Sequence, residues 1–307
     1  MVAPPQEFEK DPMPSIKKIN SEWVAIVPYA FIASNDATVR FGSDRQWWGE
    51  RKEGVIKSIQ LAKANELKIM IKPQIWMHGN WIGEMDFEVE DDWKDWEESY
   101  ERYIMTFVDL AIDMDVEMIC VGTEIEIASK KRESYWRKLI SKIREKYNGE
   151  ITYSSNWDSY KNIPFWDALD YIGISAYFPL SEAITPNVYY LKYKWGGVKK
   201  RLKKFSKHHN KPILFTEYGY LSVDGCAYKT WELEKKRREL PANEKAQSNA
   251  LEALYSSFWD ESWWAGGFLW KWYPNGVAQE GRRAKDYTPQ GKMSERTIKK
   301  WYQKSMK

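Results

Sequence analysis

A chain of 307 residues, 43% of them hydrophobic, is long enough to bury a large core as one domain. Its net charge is only +3, and basic and acidic residues are interspersed, so the composition gives no argument for a nucleic-acid partner. The three histidines and two cysteines show no zinc-binding spacing, and no apolar run is long enough to span a bilayer. We therefore expect a soluble monomer without a metal site.

The N-terminal residues carry no signal-peptide pattern. Met1–Pro5 is instead typical of the end of a β-strand that prolines close, because proline cannot continue a central strand. We therefore predict a first strand that is short or truncated. The sequence leaves the cellular location open, and a secreted form is compatible with it if the natural chain begins further upstream.

Aromatic residues are unusually numerous, with 18 tryptophans and 19 tyrosines. This exceeds what a core of this size needs, and flat rings with one polar handle suit surfaces that hold the faces of sugars. Not every ring fits that use. Trp93 and Trp96 recur at helical spacing within a predicted amphipathic helix over 91–113, which indicates a structural role.

Two further strands are predicted at 22–31 and 69–77, separated by a helix. By the two-residue period of a strand, one face of the second carries Lys72, Gln74, Trp76 and His78. A polar and aromatic face on a central strand indicates the wall of a pocket. For Lys72 a buried, paired structural charge is an equally good interpretation.

Strands and helices continue to alternate along the rest of the chain. Strands are predicted at 116–124, at 151–157 with Asn156 near its end, at 171–177, at 212–217 and at 265–272. Leu221–Leu240 is a long charged connection, and loops of this length are usually functional or mobile. With no internal repeat and no second domain, the pattern predicts a single (β/α)8 barrel over residues 1–307.

Two of these buried strands end in a glutamate, namely Glu124 and Glu217. The active site of a (β/α)8 barrel is built at the C-terminal ends of its strands, so the two carboxylates are predicted to face one pocket. A pair of carboxyl groups is the catalytic arrangement typical of a glycosidase. Glu126 competes with Glu124 because it lies two residues on, but the strand is expected to end first, which makes Glu126 a residue of the pocket rim.

The chain resembles the retaining glycosidases of clan A, and most closely the β-mannanases of glycoside hydrolase family 113. The resemblance is carried by Gly122-Thr123-Glu124, Ile71-Lys72-Pro73-Gln74-Ile75-Trp76, Ile172 to Pro179, Phe215-Thr216-Glu217-Tyr218-Gly219 and Trp270. It implies a (β/α)8 barrel that hydrolyses β-1,4-linked mannan or mannooligosaccharides with retention and without a cofactor.

The resemblance also implies roles for individual residues. Glu124 matches the acid/base, Glu217 the nucleophile, Tyr177 the tyrosine that hydrogen-bonds the nucleophile, and Trp270 the floor of the sugar site. Thr123 departs from the asparagine that most of the clan has before the acid/base, so the partner of the sugar 2-hydroxyl is open. The other candidate substrate-binding residues are Lys72, Trp76, His78, Asn156 and Trp272.

Three other functions stay open from the sequence. An exo-acting β-mannosidase or another β-1,4-glycanase would share the carboxylates, because the carboxylate chemistry fixes the type of bond and not the sugar. A non-catalytic carbohydrate-binding protein would explain the aromatic residues. It would not explain two glutamates at strand ends.

Overall fold

A computed structural model describes residues 1–33, 36–275 and 283–304 of the chain. The strands are β1 (Trp23–Ile26), β2 (Tyr29–Ile32), β3 (Lys68–Ile71), β4 (Gln74–Met77), β5 (Met118–Thr123), β6 (Glu150–Asn156), β7 (Tyr171–Ser175), β8 (Ile213–Tyr218) and β9 (Trp264–Leu269). The helices are α1 (Met13–Lys17), α2 (Lys52–Ala64), α3 (Glu90–Asp113), α4 (Glu126–Lys131), α5 (Glu133–Arg144), α6 (Val188–His209), α7 (Thr230–Lys236), α8 (Glu244–Phe258) and α9 (Met293–Tyr302).

Seven strands form one sheet in the order β1-β3-β5-β6-β7-β8-β9, and β2 pairs with β4 in a small second sheet. The pairings β1–β3, β3–β5, β5–β6 and β8–β9 are parallel, as strands joined by crossover helices must be. The order follows the chain, and helices separate most successive strands of the sheet. This is the (β/α)8 barrel fold that the alternation predicts.

Two prolines break the long strands predicted at 22–31 and 69–77. Pro28 separates β1 from β2, and Pro73 separates β3 from β4, because proline has no N–H to donate to a ladder. The hydroxyl of Tyr103, on α3, lies 2.9 Å from the carbonyl oxygen of Pro28 and 3.0 Å from that of Gln74. One buried tyrosine thus contacts the backbone at both breaks.

The prediction of a short first strand at Met1–Pro5 is wrong, since the structure assigns these residues to no strand. The carbonyl oxygens of Pro4 and Pro5 accept hydrogen bonds from the backbone N–H groups of Gly49, at 2.9 Å, and Trp48, at 3.1 Å. Two consecutive prolines supply no donors for a ladder. A Cβ on Gly49 would lie 2.1 Å from Cδ of Pro4, so this close contact requires glycine.

By its internal contacts the chain forms two compact units. One, the Glu124 unit, consists of Val2–Asp11 and Glu22–Ile174. The other, the Glu217 unit, consists of Met1, Pro12–Ser21 and Ser175–Lys307. Each unit has a core of its own.

The core of the Glu124 unit is built on α3. Its predicted aromatic stripe is buried, with Trp93 4% and Trp96 0% exposed, which confirms that these rings are structural. Trp96 stacks on Tyr100 with ring centroids 5.0 Å apart, and the Tyr100 hydroxyl donates to the Val121 carbonyl on β5 at 2.8 Å. The helix thereby fixes the strand that ends before Glu124.

The core of the Glu217 unit joins β8 and β9 to α6, α8 and α9. Phe215 of β8 packs on Phe258 of α8 and Trp264 of β9, with ring centroids 5.1 and 5.7 Å away. The hydroxyl of Tyr218 lies 2.9 Å from that of Tyr255 and 2.8 Å from that of Tyr302. These contacts hold β8 on both sides of Glu217.

In the parts of the chain that are described, no helix has the length and apolar character to cross a bilayer.

Candidate active site

Glu124 lies immediately after β5 in a left-handed backbone conformation, with φ of 57°. For a residue other than glycine this conformation costs on the order of 1–3 kcal/mol, and such strain is typical of functional sites. Two contacts from β6 hold the backbone there: the Glu124 N–H donates to the Ser154 carbonyl at 2.8 Å, and the Ile125 N–H donates to the Tyr153 hydroxyl at 3.0 Å. The turn therefore fixes the direction in which the Glu124 side chain leaves the strand.

The Glu124 carboxylate accepts a hydrogen bond from a tryptophan that the sequence analysis did not single out. Nε1 of Trp81 donates to Oε2 of Glu124 at 3.1 Å. Thr123, which departs from the clan pattern, is only 8% exposed and pairs with Ser154 in the sheet register. Nothing in the local sequence indicates the contact with Trp81, since the two residues are 43 positions apart.

Glu126, the competitor for the catalytic position, begins α4 instead of continuing β5. Its Oε1 atom accepts a hydrogen bond from Nζ of Lys130, one helical turn on, at 2.6 Å. The strand ends at Thr123, before Glu126, as the sequence analysis expected.

The face predicted as a pocket wall divides into a buried and an exposed part. Lys72 is 1% exposed and Gln74 8%, whereas Trp76 is 59% exposed and His78 is also exposed. Phe31 of β2 stands opposite Trp76 of β4 in the parallel register and is 38% exposed. Sequence reasoning missed Phe31, because only the pairing of β2 with β4 makes the two rings neighbours.

Asn156, the last residue of β6, is half-buried. Its Oδ1 atom accepts the Trp157 N–H at 3.0 Å, and its carbonyl oxygen accepts the Ser159 N–H at 3.1 Å. The side-chain amide thus lies at a strand end, and its oxygen accepts a hydrogen bond within the local turn.

In the Glu217 unit, Glu217 lies near the end of β8 and is 9% exposed. The hydroxyl of Tyr177 donates to Oε2 of Glu217 at 3.0 Å, so the hydrogen bond that the resemblance implies is present. The Ala176 N–H donates to the carbonyl oxygen of Glu217 at 2.7 Å. The segment that follows β7 therefore holds both the backbone and the carboxylate of this residue.

Trp270 follows β9 directly, and its N–H donates to the Tyr218 carbonyl at 2.8 Å. Its ring is half-buried, and the peptide bond to Lys271 is cis. Gly219 lies against this segment, and a Cβ there would lie 2.3 Å from the Trp270 carbonyl oxygen. Glycine is thus required for β8 and β9 to come together at their ends.

Trp272 differs from the position expected of a residue that lines a cleft. Its side chain is 7% exposed, and its indole N–H donates to Oγ of Ser15, the third residue of α1, at 3.0 Å. Little of the ring face is open to a ligand, so the structure favours a packing role for Trp272.

A buried charge cluster, also missed by sequence reasoning, lies behind Tyr177. Tyr177 packs against Tyr287 with ring centroids 6.3 Å apart, and the neighbouring Asp286 is 2% exposed. Burial lowers the pKa of Lys292, whose Nζ donates to the Asp286 carbonyl at 2.7 Å, to about 8. The Asp286 carboxylate accepts hydrogen bonds from the Tyr287 N–H at 2.6 Å and the Tyr273 hydroxyl at 2.9 Å. It also pairs with Nζ of Lys271 and Nη1 of Arg237, each at 3.3 Å.

This cluster changes the interpretation of the long charged connection at 221–240. The connection contains α7, and Arg237 directly after this helix is 6% exposed and anchored on Asp286. The connection is therefore ordered structure that packs behind the tyrosine which holds Glu217.

Each unit thus contains one glutamate at the carboxyl end of a buried parallel strand, with an aromatic hydrogen-bond donor on its carboxylate. A (β/α)8 barrel with glutamates in these positions has the architecture of a glycoside hydrolase. A family model for glycoside hydrolase family 113 matches residues 6–306, so the chain belongs to this family.

Solved structures agree with this assignment. One described as a complex of a GH113 β-1,4-mannanase is 27% identical over 96% of this chain and 92% of its own, with a TM-score of 0.83. The GH113 β-mannanase from Alicyclobacillus acidocaldarius in complex with ManMIm is 26% identical over 95% of this chain and 90% of its own, with a TM-score of 0.82.

More remote structures share the fold alone. A β-glucuronidase from an uncultured Clostridium is 14% identical and has a TM-score of 0.60 over 96% of this chain and 46% of its own. No curated protein matches the chain significantly.

Proposed function

We propose that this protein is a retaining endo-β-1,4-mannanase, with Glu217 as nucleophile and Glu124 as acid/base. The observation that carries the proposal is the hydrogen bond from Tyr177 to Glu217 in a chain of family 113. The Tyr177 hydroxyl holds the Glu217 carboxylate in place through Oε2, as a nucleophilic carboxylate requires.

The chemistry follows from two carboxyl groups in different protonation states. In the first step Oε1 of Glu217 bonds to the anomeric carbon, the glycosidic bond breaks, and the proton of Glu124 goes to the departing oxygen. In the second step Glu124 takes a proton from water, the water oxygen bonds to the anomeric carbon, and the ester to Glu217 breaks. Retention requires two carboxyl groups about 5–5.5 Å apart, one ionised to attack and one protonated to donate.

Sugar rings would be held by aromatic faces and polar side chains at the strand ends. Trp270 serves as the floor at Glu217, and Trp76 together with Phe31 supplies two exposed rings in the Glu124 unit. His78 and Asn156 supply hydrogen-bonding groups in that unit, whereas the burial of Lys72 and Trp272 supports indirect roles for these two.

The choice of β-mannan and of internal cleavage rests on similarity. The structures with TM-scores of 0.83 and 0.82 are described as β-1,4-mannanase and β-mannanase. They are 27% and 26% identical to this chain, which supports the substrate class as a proposal for this protein.

The test is product analysis on mannohexaose, cellohexaose and xylohexaose, with the first anomer formed read by NMR and Glu217→Ala as the inactive control. We expect internal cleavage of mannohexaose, β-anomers first, and loss of turnover in the variant. Release of single mannose units from one end would show that the enzyme is exo-acting and not endo-acting. Cleavage of only the cello- or xylo-substrate would refute the mannan assignment, and binding without any cleavage would favour a carbohydrate-binding protein.

A further inference from the structure

The indole of Trp81 packs against its own turn although 38% of its surface is exposed. Trp81 precedes a 3-10 turn over Ile82–Glu84, closed by a hydrogen bond from the Glu84 N–H to the Trp81 carbonyl at 3.0 Å. Ile82 and Met85 are 7% and 1% exposed and anchor the turn in the core of the Glu124 unit.

Gly83 makes room for this ring. A Cβ on Gly83 would lie 2.3 Å from Cη2 of Trp81 and 2.4 Å from its Cζ3, so the indole lies directly against the glycine backbone. Any other residue here would have to displace the ring. The local sequence Trp-Ile-Gly thus sets the position of the indole N–H.

The acceptor is held as firmly as the donor. Glu124 has φ of 57°, and its N–H is bonded to the Ser154 carbonyl at 2.8 Å. The carboxylate meets Nε1 of Trp81 at 3.1 Å through Oε2. Both ends of this hydrogen bond therefore belong to fixed backbone.

We propose that Trp81 is a positioning residue that confines the transferable proton of Glu124 to Oε1. An indole N–H can only donate, and the carbonyl-type oxygen of a carboxylic acid is a better acceptor than its hydroxyl oxygen. With Trp81 on Oε2, the proton resides on Oε1. The inference rests on the proposed role of Glu124 as acid/base.

This arrangement acts in both steps of the reaction. In the first, the proton passes from Oε1 to the departing glycosidic oxygen, and the Trp81 N–H stabilises the carboxylate that remains. In the second, Oε1 takes the proton from the attacking water. Loss of the N–H removes the donor that favours Oε1 over Oε2 as the site of the proton.

The test is Trp81→Phe, assayed through kcat/KM, which reports the first, bond-breaking step. Two substrates are compared: mannotetraose, whose leaving group needs a proton, and 2,4-dinitrophenyl β-mannobioside, whose leaving group does not. General acid catalysis contributes about 10²–10⁴-fold, so we expect a loss of about 10–100-fold with mannotetraose and less than about 3-fold with the dinitrophenyl glycoside.

Trp93→Phe is the matched control. Trp93 belongs to the same unit and its indole N–H is also hydrogen-bonded, to the Phe87 carbonyl at 3.0 Å, away from Glu124. The change should affect both substrates equally. Gly83→Ala is a second variant, which displaces the indole of Trp81 without removing it. It should reproduce the selective loss of activity with mannotetraose.

An equal loss on both substrates would make Trp81 a sugar-binding ring and would overturn the proposal, as would no loss at all. Glu124→Gln separates this failure from failure of the proposed function. If Glu124→Gln shows the leaving-group dependence and Trp81→Phe and Gly83→Ala do not, only the positioning role is refuted. If Glu124→Gln shows no dependence, Glu124 is not the acid/base and both proposals are refuted.

Discussion

Glu50 offers a direct test of how burial governs the stability of this chain. It is the last residue of the 3-10 turn Trp48–Glu50, and its side chain is 9% exposed. Burial raises the pKa of its carboxyl group from 4.5 to about 7, against the opposing effect of hydrogen bonds from the Trp47 backbone and the Gln46 side chain. The charged form is therefore disfavoured in the folded state.

The sign of the pH effect follows from proton binding. Between pH 4.5 and about 7 the folded chain keeps the Glu50 proton while the unfolded chain has released it. The folded state binds more protons in this window, so its stability falls as the pH rises and changes no further above pH 7. Each pH unit in this window lowers the free energy of unfolding by 1.36 kcal/mol, so the rise from pH 4.5 to about 7 lowers it by about 3 kcal/mol.

Glu50→Gln removes the charge and keeps the shape of the side chain. Its amide oxygen can still accept the Trp47 N–H. We expect the variant to match the natural chain at pH 4 and to exceed it by about 3 kcal/mol in free energy of unfolding at pH 8. Urea unfolding at pH 4, 5, 6, 7 and 8, followed by circular dichroism, gives the difference directly, and other titrating groups cancel in it.

Glu53→Gln is the control, because Glu53 lies three residues on and its side chain is 56% exposed. This variant measures the effect of a glutamate-to-glutamine change at an exposed position of the same segment. A difference between Glu50→Gln and the natural chain that stays constant from pH 4 to pH 8 would refute the burial argument.

Two further predictions concern backbone positions. Gly196 lies on α6, where a Cβ would meet nothing within 4 Å, so Gly196→Ala should stabilise the chain by about 0.5–1 kcal/mol. Gly219→Ala should lower both stability and activity, because its Cβ would lie 2.3 Å from the Trp270 carbonyl oxygen. Equal melting temperatures of the two variants would contradict this prediction. Because Glu124 has φ of 57°, the free energy of unfolding of Glu124→Gly should exceed that of Glu124→Ala by up to about 1 kcal/mol, as measured by urea unfolding. Lys138, an exposed helical residue, is the control, and its glycine variant should be less stable than its alanine variant. If the glycine variant is also the less stable one at Glu124, backbone strain at Glu124 is excluded.

Local pattern in the sequence determined the elements of the fold and the two candidate catalytic glutamates. Buried parallel strands are continuous apolar runs, so β5 and β8 can be read directly, and a residue that follows such a run must lie at the strand end. The aromatic stripe of α3 is equally local, because its rings recur with the helical period. The resemblance to family 113 supplied the roles proposed for these residues and the sugar proposed as substrate.

Only the tertiary structure decided which side chains meet. Phe31 and Trp76 are neighbours because β2 and β4 pair in one register, and Trp81 meets Glu124 across 43 residues because of a turn whose course no periodicity encodes. Trp272 has the sequence position of a cleft residue, yet its indole is buried on Ser15. Periodicity fixes the face that a side chain occupies within its own element, while contacts depend on register, turns and packing between elements far apart in the chain.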